Sequence, residues 1–103
     1  MNRCAFDPAV HGDLAEIWRY IAVENHNPGA ADKLIDMLFG KFSLLAAQPL
    51  LGESREDLGE NVRAFVARSY LILYRPIPNG IEILQVVHSA RDITRAARTR
   101  RQP

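Results

Sequence analysis

The chain has 103 residues, of which 48% are hydrophobic and 24% charged, and its formal net charge is +1. One domain of this size buries roughly 60 to 70% of its unfolded surface, which rules out a disordered chain and a second independent core. The five arginines from His88 onward face one acid, giving that end +4, whereas the preceding residues hold eight bases and eleven acids, or −3. A basic end of this kind either meets an acidic partner or is a solvated tail. Cys4 is the single cysteine, so no intrachain disulfide forms, and the thiol reads as a small apolar filler in a reducing, cytoplasmic setting. No apolar run approaches the ~20 residues of a membrane span, and no basic-then-apolar leader opens the chain.

Arg3 to Phe6 reads as a short N-terminal edge strand. Asp7-Pro8 and Asn27-Pro28 then repeat one device, a side chain able to cap a helix followed by a proline suited to the first turn. After the first, Val10, Leu14, Ile17, Trp18 and Ile21 form one apolar stripe, with Asp13, Glu16 and Arg19 off it in solvent. After the second, Ala31, Leu34, Ile35, Leu38, Phe42 and Leu45 repeat the pattern. The short joint between them predicts an antiparallel helical hairpin in which Trp18 and Phe42 are core or helix-helix contacts.

Between Gln48 and Asn61 there is no apolar period. This Gly-, Glu- and Pro-rich run is expected to be the most flexible connection. Val62 to Ala67, Tyr70 to Arg75 and Ile81 to His88 then read as three strands, the last two joined at Pro78-Asn79-Gly80, where Asn-Gly accepts positive φ. In the middle strand Tyr70, Ile72 and Tyr74 share one face and Leu71, Leu73 and Arg75 the other, so it should be central. After Asp92 the spacing of Arg95 and Arg98 suggests a short basic helix or tail. The expected fold is a single α+β domain over 1–103: a helical hairpin on one face of a small, mainly antiparallel sheet, in order β-α-α-β-β-β.

Motifs for metal, phosphate-loop and serine-hydrolase chemistry are missing from the sequence. His11 and His26 lack a spaced partner acid and read as solvated. His88 and Ser89 leave opposite faces of a strand and cannot form a nucleophile-base pair. No metal and no cofactor is expected. What accumulates on and beside the sheet is Arg63, Arg68, Tyr70, Tyr74, Arg75, His88 and Arg91. Such a set can bind phosphate, stack on bases, cleave RNA through a histidine with arginines holding the charge, or bind carboxylates. Packing is the preferred reading of Tyr70 and Tyr74, whereas Arg63 and Arg75 need partners if they are to sit on a sheet face.

Several stretches together resemble the ParE branch of the RelE/ParE toxin superfamily of bacterial toxin-antitoxin systems. They are Asp13-Leu14-Ala15-Glu16-Ile17-Trp18-x-Tyr20-Ile21-Ala22, Pro49-x-x-Gly52-x-x-Arg55, Val62-Arg63 with Phe65, Tyr70-x-Ile72-x-Tyr74-Arg75, and Ile81-Glu82-Ile83 leading to Val87-His88-x-Ala90-Arg91-Asp92. The resemblance covers nearly the whole chain. It implies the same β-α-α-β-β-β fold and a cytoplasmic toxin that acts on DNA gyrase by binding. A co-expressed, ParD-like antitoxin would neutralise it through an extended C-terminal segment, in a higher-order hetero-oligomer. RelE-type members instead cleave messenger RNA on the ribosome with a basic and aromatic cluster. That reading would give catalytic roles to His88, Arg63, Arg75 and Arg91, but Lys33 and Lys41 both belong to the second helix and supply no such lysine cluster. A non-toxic relic that still binds its antitoxin is the third alternative. At the last strand's exit, His88 and Arg91 either face the open side of the sheet, or Arg91 and Asp92 pair locally while His88 closes the strand.

Overall fold

A computed structural model of the chain describes residues 2–89. Arg91, Asp92 and the expected basic helix or tail lie outside them. Strand β1 (Arg3–Phe6) leads into helix α1 (Ala9–Arg19), which widens into a π-helical turn at Tyr20–Glu24 before helix α2 (Pro28–Ala47). A two-residue strand β2 (Glu53–Ser54) and a 3-10 turn (Glu56–Leu58) precede β3 (Arg63–Ala67), β4 (Tyr70–Ile77) and β5 (Gly80–His88). The sheet order is β1-β5-β4-β3-β2, antiparallel except for the parallel β1-β5 pair.

Both helices start where their punctuation predicts. The Asp7 carboxylate accepts from Ala9 N at 2.9 Å, and Asn27 Oδ1 accepts from Ala30 N at 3.1 Å with Pro28 in the first turn. Of the α2 stripe, Leu34, Leu38, Phe42 and Leu45 share one buried cluster with Tyr70, Ile72 and Tyr74 of β4 and Ile81, Ile83 and Val86 of β5, and Ala31 is buried as well. Phe42 is core, as expected. Trp18 is not: it lies at the surface of the hairpin, where its indole N–H donates to Asp32 Oδ1 of α2 at 2.8 Å. That is a helix-helix contact made by the polar tip of an amphipathic ring.

The opposite face of the sheet carries a smaller cluster of Leu58, Val62, Ala64, Leu71, Leu73 and Val87. A bulge at Leu73/Tyr74 of β4 inserts one extra residue of β5, so that Gln85 faces Leu73 whereas Ile83 faces Tyr74. β4 is central, flanked by β5 and β3, and both of its faces are apolar.

Three local expectations are corrected. Asp13 is not in solvent: β1 ends opposite Ile83, and the Asp13 carboxylate accepts from Val86 N at 3.1 Å beyond that point. The β4-β5 turn uses Pro78 and Asn79 as its two central residues, with Asn79 at φ 68, and Gly80 already belongs to the strand opposite Ile77. Glycine is required there because a Cβ would overlap the carbonyl of Arg3 as β1 passes alongside. Finally, the run from Gln48 to Asn61 is a pinned segment containing β2 and the 3-10 turn.

Candidate functional site

The pinning starts from a buried phenol. Tyr74 is fully buried on the helix-covered face, so its hydroxyl must find partners inside the protein. It donates to Pro49 O at 2.8 Å and accepts from Gly52 N at 2.8 Å. Arg63 stands opposite Tyr74 across the β3-β4 ladder and completes the clamp, its Nε donating to Gly52 O at 2.9 Å and its Nη2 to Leu50 O at 3.1 Å. The Leu51 amide closes a tight turn onto Gln48 O at 3.0 Å. Gly52 is buried in the clamp, and a Cβ on it would lie 2.6 Å from the Tyr74 hydroxyl and 3.0 Å from Ala64 O. Outside this clamp Leu50 is 70% exposed and Leu51 45%.

Next along the chain, Arg55 binds Asp57 through two parallel bonds, Nε to Oδ1 and Nη2 to Oδ2, both 2.9 Å. That bidentate bond holds the Asp57 carboxyl below the usual carboxylate range. Glu56 Oε2 accepts from Asn61 N at 3.1 Å, fixing the turn into β3.

The remaining residues singled out from sequence fall elsewhere. Tyr70 and His88 face each other across β4 and β5, with ring centroids 5.5 Å apart and planes at 81°. Tyr70 is buried and His88 exposed. Arg68 is exposed in the adjoining two-residue turn at φ 57, a left-handed position that usually selects glycine. Arg75 projects from the opposite face, where its Nε and Nη2 both donate to Glu82 Oε1 at 2.8 Å. The set therefore divides in three: Arg63 with Tyr74 at the clamp, Arg68 with Tyr70 and His88 at the β3-β4 turn, and Arg75 with Glu82 behind. Tyr70 and Tyr74 are four residues apart, so the first two groups are about 13 Å apart along the strand. Arg91 lies outside the described residues.

Tyr74 presents no surface to a ligand, and Arg63 acts on the backbone of the clamped turn. The sequence names Gly52 only within the Pro49-x-x-Gly52 spacing and gives no reason to single out Leu50 and Leu51. That spacing says nothing by itself about an arginine and a tyrosine further along the chain. Among the described residues, no three His, Cys, Asp or Glu side chains converge as metal ligands. No described helix is long and apolar enough to cross a membrane.

Comparison with known proteins agrees with this architecture. The family described as ParE toxin of type II toxin-antitoxin system, parDE, matches residues 5–93. Toxin RelE3 of Caulobacter vibrioides is 29% identical over 90 residues, covering 86% of this chain and 96% of the relative. Toxin ParE3 of the same organism is 30% identical over 87 residues, covering 84% and 86%. A solved structure, the chromosomal ParDE TA system from P. aeruginosa, matches with a TM-score of 0.69 over 85% of this chain and 96% of that one. At 19% identity, it establishes the shared fold. With a family match that spans most of its length, the chain belongs to the ParE toxins of type II toxin-antitoxin systems.

Proposed function

We propose that this ParE-family protein arrests growth by binding and poisoning DNA gyrase, without catalysis of its own. The observation that carries this reading is the dispersal of the groups that RNA cleavage would need. Arg63 is spent on two backbone carbonyls, Arg75 is ion-paired on the other face, and His88 stands at the far end of the helix-covered face from Arg63. A phosphate held by both arginines while His88 moves a proton would have to reach through the sheet. Purified protein should stop gyrase from supercoiling relaxed plasmid and trap cleaved DNA. Undiminished supercoiling at saturating protein would refute the proposal.

The relative named Toxin RelE3 favours a second reading, cleavage of ribosome-bound messenger RNA. There His88 would be the acid or base, with Tyr70 beneath it, and Arg68 or Arg91 would hold the phosphate. Codon-positioned cuts that vanish in His88→Ala would establish it.

The partner is a cognate, ParD-like antitoxin that binds through its C-terminal segment in a higher-order hetero-oligomer. This segment is expected to be amphipathic, with apolar side chains on the helical hairpin and carboxylates toward Arg68, Arg75 and the basic end. Rim charge pairs of this kind act mainly on association and weaken with salt. Raising salt should therefore slow association more than it speeds dissociation.

A further inference from the structure

We infer that the clamped turn Pro49–Gly52 is the surface through which the toxin grips its target, with Leu50 and Leu51 as anchors and Arg63 and Tyr74 as the positioning residues. The inference rests on the toxin reading and adds where and what the toxin binds. Scattered exposed leucines are ordinary. These two differ because the backbone carrying them is fixed by four hydrogen bonds from a buried phenol and a guanidinium, and by a glycine that no larger residue can replace without displacing Tyr74 or Ala64. Two apolar side chains on a rigid turn meet a partner with little ordering left to do, the condition under which small anchors bind well.

Charge identifies the occupant. From Leu50 to Arg63 the chain holds four acids, Glu53, Glu56, Asp57 and Glu60, against Arg55 and Arg63. Arg55 is bound to Asp57, and Arg63 is turned onto carbonyls, whereas Glu53, Glu56 and Glu60 are exposed. The segment that carries the leucines is therefore net acidic, which disfavours nucleic acid and the carboxylate-bearing antitoxin segment alike. Its complement is an apolar socket in a protein, edged by lysine or arginine. The antitoxin then binds elsewhere, on the hairpin and the basic groups.

The test separates target contact from antitoxin contact. Leu50→Glu with Leu51→Glu is induced in cells, and the purified variant is titrated with the antitoxin, whose unchanged affinity also reports an intact fold. The expected result is a loss of growth arrest at inducer levels about tenfold above those at which the unmodified toxin acts, with antitoxin affinity unchanged. Tyr74→Phe keeps both leucines and releases the turn, so it should lose part of the potency and none of the antitoxin affinity. Glu53→Lys with Glu60→Lys should lower potency if the socket is basic. A rise in potency would mean an anionic target and would overturn the inference. Equal potency of the double-leucine variant, or a matching loss of antitoxin affinity, would overturn it too. If the unmodified chain leaves growth untouched, the toxin reading fails and takes this one with it; if only the variants behave unexpectedly, this one fails alone.

Discussion

Replacing Tyr74 by phenylalanine removes one oxygen from the core and leaves two backbone groups without their partner. The ring keeps its packing among Phe42, Ile72 and Ile83, so no cavity term enters beyond the hydroxyl itself. Gly52 N–H is buried and loses the phenol oxygen as its acceptor, at a cost of about 1 to 3 kcal/mol for an orphaned donor. Pro49 C=O is only partly buried and can turn to water, so its loss adds little. The expected destabilisation is therefore about 2 kcal/mol, a large share of the roughly 5 to 15 kcal/mol available to a small domain. Urea unfolding followed by circular dichroism should show an earlier midpoint with the slope unchanged, because the surface exposed on unfolding is the same. In a domain of this length the melting temperature should fall by roughly 10 °C. A variant within 0.5 kcal/mol of the parent would refute the reasoning, because it would mean that the turn is held by Arg63 alone or that water replaces the phenol.

Other expectations follow from the same contacts. Gly80→Ala should destabilise by well over 1 kcal/mol, because its methyl meets the Arg3 backbone. Amide exchange in residues 3–6 should then rise before that in β4. Asn27→Ala should cost about 1 kcal/mol through the lost bond to Ala30 N, measured as a shift in urea midpoint. The Asp57 carboxyl is depressed by its hydrogen bonds to Arg55, so its stabilising contribution is present at neutral pH and lost as pH falls through and below the usual carboxylate range. Carbon-detected titration should show this, and Arg55→Gln should return the carboxyl toward its ordinary range. Burial raises the Cys4 thiol, so alkylation of the folded protein should be slower than that of the urea-unfolded chain.

What could be read from sequence was local. The two caps and the α2 stripe specify the hairpin because each signal lies within one or two helical turns, and β4 declares itself central by being apolar on both faces. The helical stripe alone puts Asp13 in solvent, whereas its partner, Val86 N, is left open only by where β1 stops, a tertiary fact. Gly80 belongs to the strand and not to the turn its Asn-Gly pairing suggests: the positive φ falls on Asn79, and the glycine answers to a strand from the other end of the chain. The run after α2 has no apolar period and so reads as flexible; besides its own local bonds, it is held by Tyr74 and Arg63, from further along the chain. The candidate site residues were legible as types, but which of them face one another depended on strand register and on the bulge at Leu73/Tyr74.

The parallel pairing of β1 with β5 also bears on how the protein is made. Arg3 lies opposite Gly80, so β1 finds its place only when β5 has been synthesised. Until then the hairpin has no β5 to cover, and Ile81, Ile83 and Val86 are missing from the core that Leu38 and Phe42 would complete. Closing so long a loop is slow relative to forming the hairpin. A nascent or truncated chain is therefore an incomplete sheet with an open apolar layer, prone to associate with other chains. A toxin folded this way acquires its working shape only once β5 has been made, which leaves the cell an interval in which an antitoxin already present can meet it.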